Sequence, residues 1–181
     1  ERREGRAKYG FDDSHFVLIN LGRLGTEKNL AEVISYFARI VDKHENARLL
    51  IVGGGPAREE LEALAAELKL GERIVFAGMV EPDEVAKYYR LGDLFVCAST
   101  SETQGLTYIE ASANGLPLLC RHDTCYDGVM LDGENGFRYT EFEEYDEHLD
   151  YIMANPEWRE RAREVSFGVA ARYDRPVFGS A

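Results

Sequence analysis

Two carboxylates, Glu102 and Glu110, bracket the segment Glu-Thr-Gln-Gly-Leu-Thr-Tyr-Ile-Glu, which lies between two apolar runs. Eight residues at the helical rise separate their backbones by roughly 12 Å. The acid and base of a glycoside hydrolase need about 5 to 9.5 Å, so that chemistry is excluded. The spacing does suit two contacts on one elongated ligand. Between the carboxylates, the amides of Gln104, Gly105 and Leu106 are the unpaired donors of a helix N-terminus, and Gly105 lets an anion come close. A polar end, a central anion and a second polar end describe a nucleotide sugar.

This segment must be positioned by its neighbours. Asp93-Leu-Phe-Val-Cys-Ala before it and Pro117-Leu-Leu-Cys after it read as buried strands. Leu106, Ile109, Ala113 and Leu116 fall at helical spacing, which predicts a crossover helix with that stripe on the sheet. Gly115 and Pro117 end it. Upstream the same alternation repeats. Phe16-Val-Leu-Ile-Asn-Leu is a first strand, followed by Gly22-Arg-Leu-Gly-Thr-Glu-Lys-Asn and a helix over about 30–44, for which Asn29 and Glu32 predict a capping box. Arg48-Leu-Leu-Ile-Val is a second strand, then Gly53-Gly-Gly-Pro and a helix over about 57–70 with Leu61, Leu64 and Leu68 inward. Arg73-Ile-Val-Phe-Ala is a third, then Gly78-Met-Val-Glu-Pro and a helix to about 91. After Cys120 come a loop from Arg121 to Asp127, a short strand Phe137-Arg-Tyr, and two acidic-faced helices broken at Asn155-Pro156. Strict alternation implies α/β: a Rossmann-like three-layer α/β/α domain on a parallel sheet, whose ligands bind at the carboxyl ends of the strands. Arg23, Gly53, Gly78, Glu102 and His122 all follow strands there.

The 181 residues make about one domain. The charged residues 1–9 read as a linker or the tail of something upstream, with the domain proper over 10–181. A net charge of −12, from 33 acidic and 21 basic residues, argues against nucleic acid and against a strong hold on anionic membranes. No apolar run has the length of a transmembrane span. Three cysteines suit a reducing cytoplasm. Cys120, His122 and Cys125 lie close together but lack a fourth ligand at metal spacing, so no metal is expected. The Gly53 turn lacks the third spaced glycine of a dinucleotide fingerprint. The histidines have no serine or cysteine partner at a meaningful spacing.

Glu102, seven intervening residues and Glu110 resemble the Glu-x7-Glu motif of retaining glycosyltransferases of family 4, which have the two-domain GT-B fold. Gly22-Arg-Leu-Gly-Thr-Glu-Lys-Asn is similar to that family's Gly-Arg-Leu-x-x-Glu-Lys-Asn loop. The resemblance covers about residues 8–175 and implies the C-terminal, donor-binding half of such an enzyme. It gives Arg23 and Lys28 the donor diphosphate, Glu102 the donor sugar and Glu110 the ribose hydroxyls. The amides at Gln104, Gly105 and Leu106 assist the diphosphate, and Gly78 and Met79 meet the base. It implies no cofactor and no bound metal, a UDP-sugar donor, and an N-terminal acceptor domain outside this chain.

Two departures narrow the resemblance. Many family members have Phe-Gly where this chain has Gln104-Gly105, and a Gly-Gly-x-x-Glu loop where it has Arg121-His-Asp-Thr-Cys-Tyr-Asp-Gly-Val. Both are similar to bacterial diacylglycerol glucosyltransferases, which implies UDP-glucose, a glycolipid product and a cytoplasmic enzyme peripheral on the inner membrane face. A sugar-nucleotide epimerase of the same architecture and a non-catalytic nucleotide-binding module are the alternatives.

Overall fold

The computed structural model describes residues 1–99, 105–122 and 128–180, with the side chains of 105 and 174–180 excepted. Six strands form one sheet: β1 (Phe16–Leu21), β2 (Ala47–Val52), β3 (Ile74–Gly78), β4 (Leu94–Cys97), β5 (Leu118–Arg121) and β6 (Gly136–Tyr139). Their order is β3-β2-β1-β4-β5-β6 and every pairing is parallel. This is the doubly wound order, in which the chain reverses direction across the sheet between β1 and β4.

The strands are apolar because both faces of the sheet are covered. Phe16 and Leu18 of β1 enter one core with α2 (Leu30–Ile40), α3 (Arg58–Glu67) and α6 (Phe142–Ala154). Val17 and Ile19 enter the other. That second core lies under α4 (Val85–Tyr89), α5 (Gly105–Ala113) and α7 (Pro156–Ser180). Proline at the start of α7 accounts for the break after α6, since its missing N–H costs nothing in a first helical turn.

Several helices differ from the sequence expectation. The buried face of α5 carries Tyr108, Ala111 and Ser112, whereas Leu106 is 72% exposed and Ala113 faces solvent. Of the expected stripe, Ile109 and Leu116 pack on the core, and Leu106 and Ala113 do not. In α3 Leu61 and Leu64 pack on the core as expected, joined by Ala65, whereas Leu68 is exposed just before the left-handed Lys69 (φ 58°).

Residues 1–9 differ from a linker as well. Arg2–Lys8 form helix α1, seated by Arg6, which is 2% exposed. Its guanidinium donates to the Leu91 carbonyl at 2.9 Å, the Asp12 carbonyl at 3.2 Å, the His15 carbonyl at 3.1 Å and Asp93 Oδ2 at 2.7 Å. A buried arginine is tolerated because each of its three guanidinium nitrogens finds an acceptor and Asp93 balances the charge.

Candidate active site

In a doubly wound sheet ligands bind at the switch point, here between β1 and β4. β1 and β4 pair only at Leu18–Leu94 and Ile19–Phe95. Beyond that, the buried Asn20 amide bridges them, donating to the Val96 carbonyl at 2.7 Å. The loop after β1 is then tied to the chain after β4. Asn29 Nδ2 donates to the Ala98 carbonyl at 3.3 Å, and Ser99 Oγ to the Glu27 carbonyl at 3.3 Å. Residues 26–28 form a single 3-10 turn between these ties.

The glycine turn after β2 buttresses the same loop from the other side. Leu24 N donates to the Gly54 carbonyl at 3.0 Å, and Ala57 N to the Leu24 carbonyl at 2.9 Å. Glycine is required at position 53: φ is +132°, and a Cβ there would lie 1.9 Å from the Gly22 carbonyl oxygen. The Gly53-Gly-Gly-Pro segment thus brings two backbones together at the crevice. Gly78, with φ +84°, accepts from Gly53 N at 2.9 Å. Met79 follows it and is 84% exposed.

Within this frame the two cations differ. Arg23 is exposed, and its guanidinium is paired with Glu27 at 2.8 Å. Lys28 is half-buried and, among the described residues, has no ion pair within 4 Å. Burial holds the Lys28 pKa below its ordinary value; nearby Cys97 and Glu27 oppose that, and Arg23 adds to it. A desolvated ammonium without a carboxylate is stabilised by an incoming anion.

Helix α5 begins at Gly105, as the sequence implies. Leu106 stands in its first turn. Glu110 is exposed, and its Oε1 accepts from the Tyr89 hydroxyl at 3.1 Å. Glu102, Gln104 and Cys125 lie outside the described residues. Cys120 is buried within β5, and among the described residues no group of three His, Cys, Asp or Glu side chains could hold a metal ion. His122 is exposed after β5, with its amide on the Tyr139 carbonyl at 2.8 Å.

The capping box expected at α2 is absent. Asn29 adopts a left-handed conformation (φ 52°), makes no side-chain cap, and reaches across to Ala98 instead. Glu32 is drawn away by a stronger partnership. Its carboxylate accepts from Arg121 Nε at 3.0 Å, from Arg121 Nη2, and from the Tyr139 hydroxyl at 2.8 Å. Arg121, expected to open a loop, is the last residue of β5, and its guanidinium also lies 5.5 Å from the Tyr139 ring centroid. The pair raises the Arg121 pKa, and burial, followed by Glu32, pushes the Tyr139 phenol far above its ordinary range. This clasp holds the ends of β5 and β6 against the first turn of α2. A capping box does occur at α6, where Glu141 and Glu144 satisfy each other's backbone amides.

Comparisons with known proteins bear on the family and the fold. The family model described as Glycosyl transferases group 1 matches residues 1–166. An alpha-monoglucosyldiacylglycerol synthase of Acholeplasma laidlawii is 38% identical over 150 residues, 83% of this chain and 38% of that protein. An alpha-monoglucosyldiacylglycerol synthase of Streptococcus pneumoniae is 34% identical over 164 residues, 87% of this chain and 36% of its own length. The chain thus spans little more than a third of these relatives. Among solved structures, Anabaena Alr3699/HepE in complex with UDP and glucose superposes with a TM-score of 0.84 at 20% identity, over 94% of this chain and 47% of that one. The fold is the Rossmann-like α/β fold of GT-B glycosyltransferase domains.

Proposed function

The chain belongs to the glycosyl transferases of group 1, and from that premise we propose that it is the C-terminal, donor-binding half of a retaining GT-B hexosyltransferase. Its donor is UDP-glucose, and its acceptor a diacylglycerol presented by an N-terminal domain of the same protein. The observation that carries the reading is Lys28: a half-buried ammonium with no ion-pair partner among the described residues, at the switch point where a doubly wound sheet binds its ligand. The monoglucosyldiacylglycerol synthases above support the acceptor, and the UDP and glucose of the Anabaena protein support the donor.

In this mechanism Lys28 and Arg23 take the diphosphate, Arg23 by exchanging Glu27 for it. Charge gathers on the leaving diphosphate as the glycosidic bond breaks, so cations fixed beforehand stabilise the transition state more than the ground state. The amides opening α5 at Gln104, Gly105 and Leu106 add to this. Glu102 takes the sugar, Glu110 the ribose hydroxyls, and the backbone at Gly78 and Met79 the base. These cations perform the electrostatic work that a divalent ion does elsewhere. Among the described residues no helix is long and apolar enough to cross a membrane, and a lipid acceptor places the full-length enzyme peripherally on the inner membrane face.

Calorimetric titration with UDP, with and without magnesium, tests the reading. Binding without the ion is expected. Strict dependence on magnesium overturns the metal-free diphosphate site.

A further inference from the structure

Glu110 is an exposed side chain of α5, yet its carboxylate is held by a buried phenol. The phenol that holds it, Tyr89, is wholly buried at the end of α4, with its ring centroid 6.1 Å from that of Phe95. Phe95 in turn packs edge-on against Tyr108 of α5, centroids 6.0 Å apart. The Tyr89 ring is therefore packed against Phe95, and its hydroxyl, covered by Glu110, donates to Oε1 at 3.1 Å. Burial, followed by the Glu110 charge and this hydrogen bond, pushes the Tyr89 pKa far above its ordinary range, so the hydroxyl is the donor of the pair.

We infer that Tyr89 is a positioning residue for the donor ribose, acting through Glu110. The inference rests on the reading of Glu110 as the ribose contact and deepens it. A carboxylate has about four lone-pair sites, and a vicinal diol needs two of them. Tyr89 occupies one site on Oε1 and leaves Oε2 and the remaining lone pair for the diol. A glutamate on a helix surface ordinarily loses rotamer freedom when a ligand fixes it. Here that loss has already been taken on folding, which makes the contact tighter with no new atom touching the nucleotide. The residue is invisible to motif reading because it lies 21 positions before Glu110.

The test uses the 181-residue chain, UDP and 2′,3′-dideoxyuridine diphosphate, which has no ribose diol. Tyr89→Phe keeps the ring and removes the donor. It is expected to weaken UDP about three- to tenfold, to leave the dideoxy analogue unchanged, and to add less than about twofold in a Glu110→Gln background. Glu110→Asp keeps the charge and withdraws it from the hydroxyl, and so serves where the phenylalanine variant does not fold. It should lose UDP and spare the analogue, and wild-type UDP affinity in it overturns the role. If Glu110→Gln weakens UDP while Tyr89→Phe does not, the positioning role is wrong and the ribose contact stands. If Glu110→Gln leaves UDP untouched, the ribose reading itself falls. Equal losses of both ligands in Tyr89→Phe make the tyrosine a packing residue and overturn the inference.

Discussion

Replacing Glu32 with glutamine would take from Arg121 its carboxylate and leave its hydrogen bond to the Thr140 carbonyl at 3.3 Å. The carboxylate accepts two hydrogen bonds from that guanidinium and one from Tyr139, and the two side chains are 14% and 23% exposed. A solvated surface pair contributes about 0–1 kcal/mol, whereas removing one partner of a buried pair costs about 3–5 kcal/mol. The partial exposure places this clasp between those limits. Glutamine retains one oxygen acceptor, so the expected loss is about 2–3 kcal/mol. For a chain of this size, that lowers the melting temperature by roughly 4–12 °C. Reversible urea unfolding followed by circular dichroism measures it. Adding Arg121→Met should recover about 1 kcal/mol, because it removes a partly buried charge that has lost its carboxylate. A loss below about 0.5 kcal/mol, or no recovery in the double variant, would show the clasp to be an ordinary surface pair.

Two further outcomes follow from titrating groups. Hydrogen bonds from Thr140 and the Glu141 amide hold the Glu144 carboxyl at about 2, below its ordinary 4.5. A depressed folded-state value means the cap contributes fully above pH 4.5 and is lost as pH falls through about 2. A carboxyl-carbon NMR titration should show that midpoint; one near 4.5 would contradict the cap. Lys28 runs the other way: burial lowers its pKa, so its charge is lost at a lower pH than an ordinary lysine's. UDP affinity should therefore decline as pH rises through that lowered value, and Lys28→Met should remove that part of the decline. Superimposable pH profiles would separate Lys28 from the diphosphate.

The sheet was legible because each strand is buried on both faces and reads as an uninterrupted apolar run. The alternation with helices then gave the parallel architecture, and Gly22 to Asn29 stood out by residue type. What escaped was decided over long sequence distances. Asn29 and Glu32 have cap spacing, but Ala98, Arg121 and Tyr139 claim their side chains from 69 to 107 residues away. Residues 1–9 read as a linker because the partners of Arg6 at Leu91 and Asp93 are 85 and 87 residues distant. Leu106 counted as core by periodicity, yet it stands exposed in the first turn of α5. Tyr89 carries no motif of its own in the helix expected to end near residue 91, and only the fold brings its hydroxyl to Glu110.

The central claim, that this domain holds a nucleoside diphosphate on Arg23 and Lys28, is tested most directly by removing both charges. The whole chain carries −12, so its long-range field repels a diphosphate and local cations must overcome that repulsion. Arg23→Met with Lys28→Met keeps most of the side-chain bulk. Charge-assisted hydrogen bonds contribute about 1.5–3 kcal/mol each, so UDP affinity should fall by about two to four decades. Uridine, which has no phosphate, should bind the wild type and the double variant almost equally. Titration of both proteins with both ligands at two salt concentrations decides it: a selective, salt-sensitive loss of UDP is the expected result, and equal loss of both ligands would contradict the assignment.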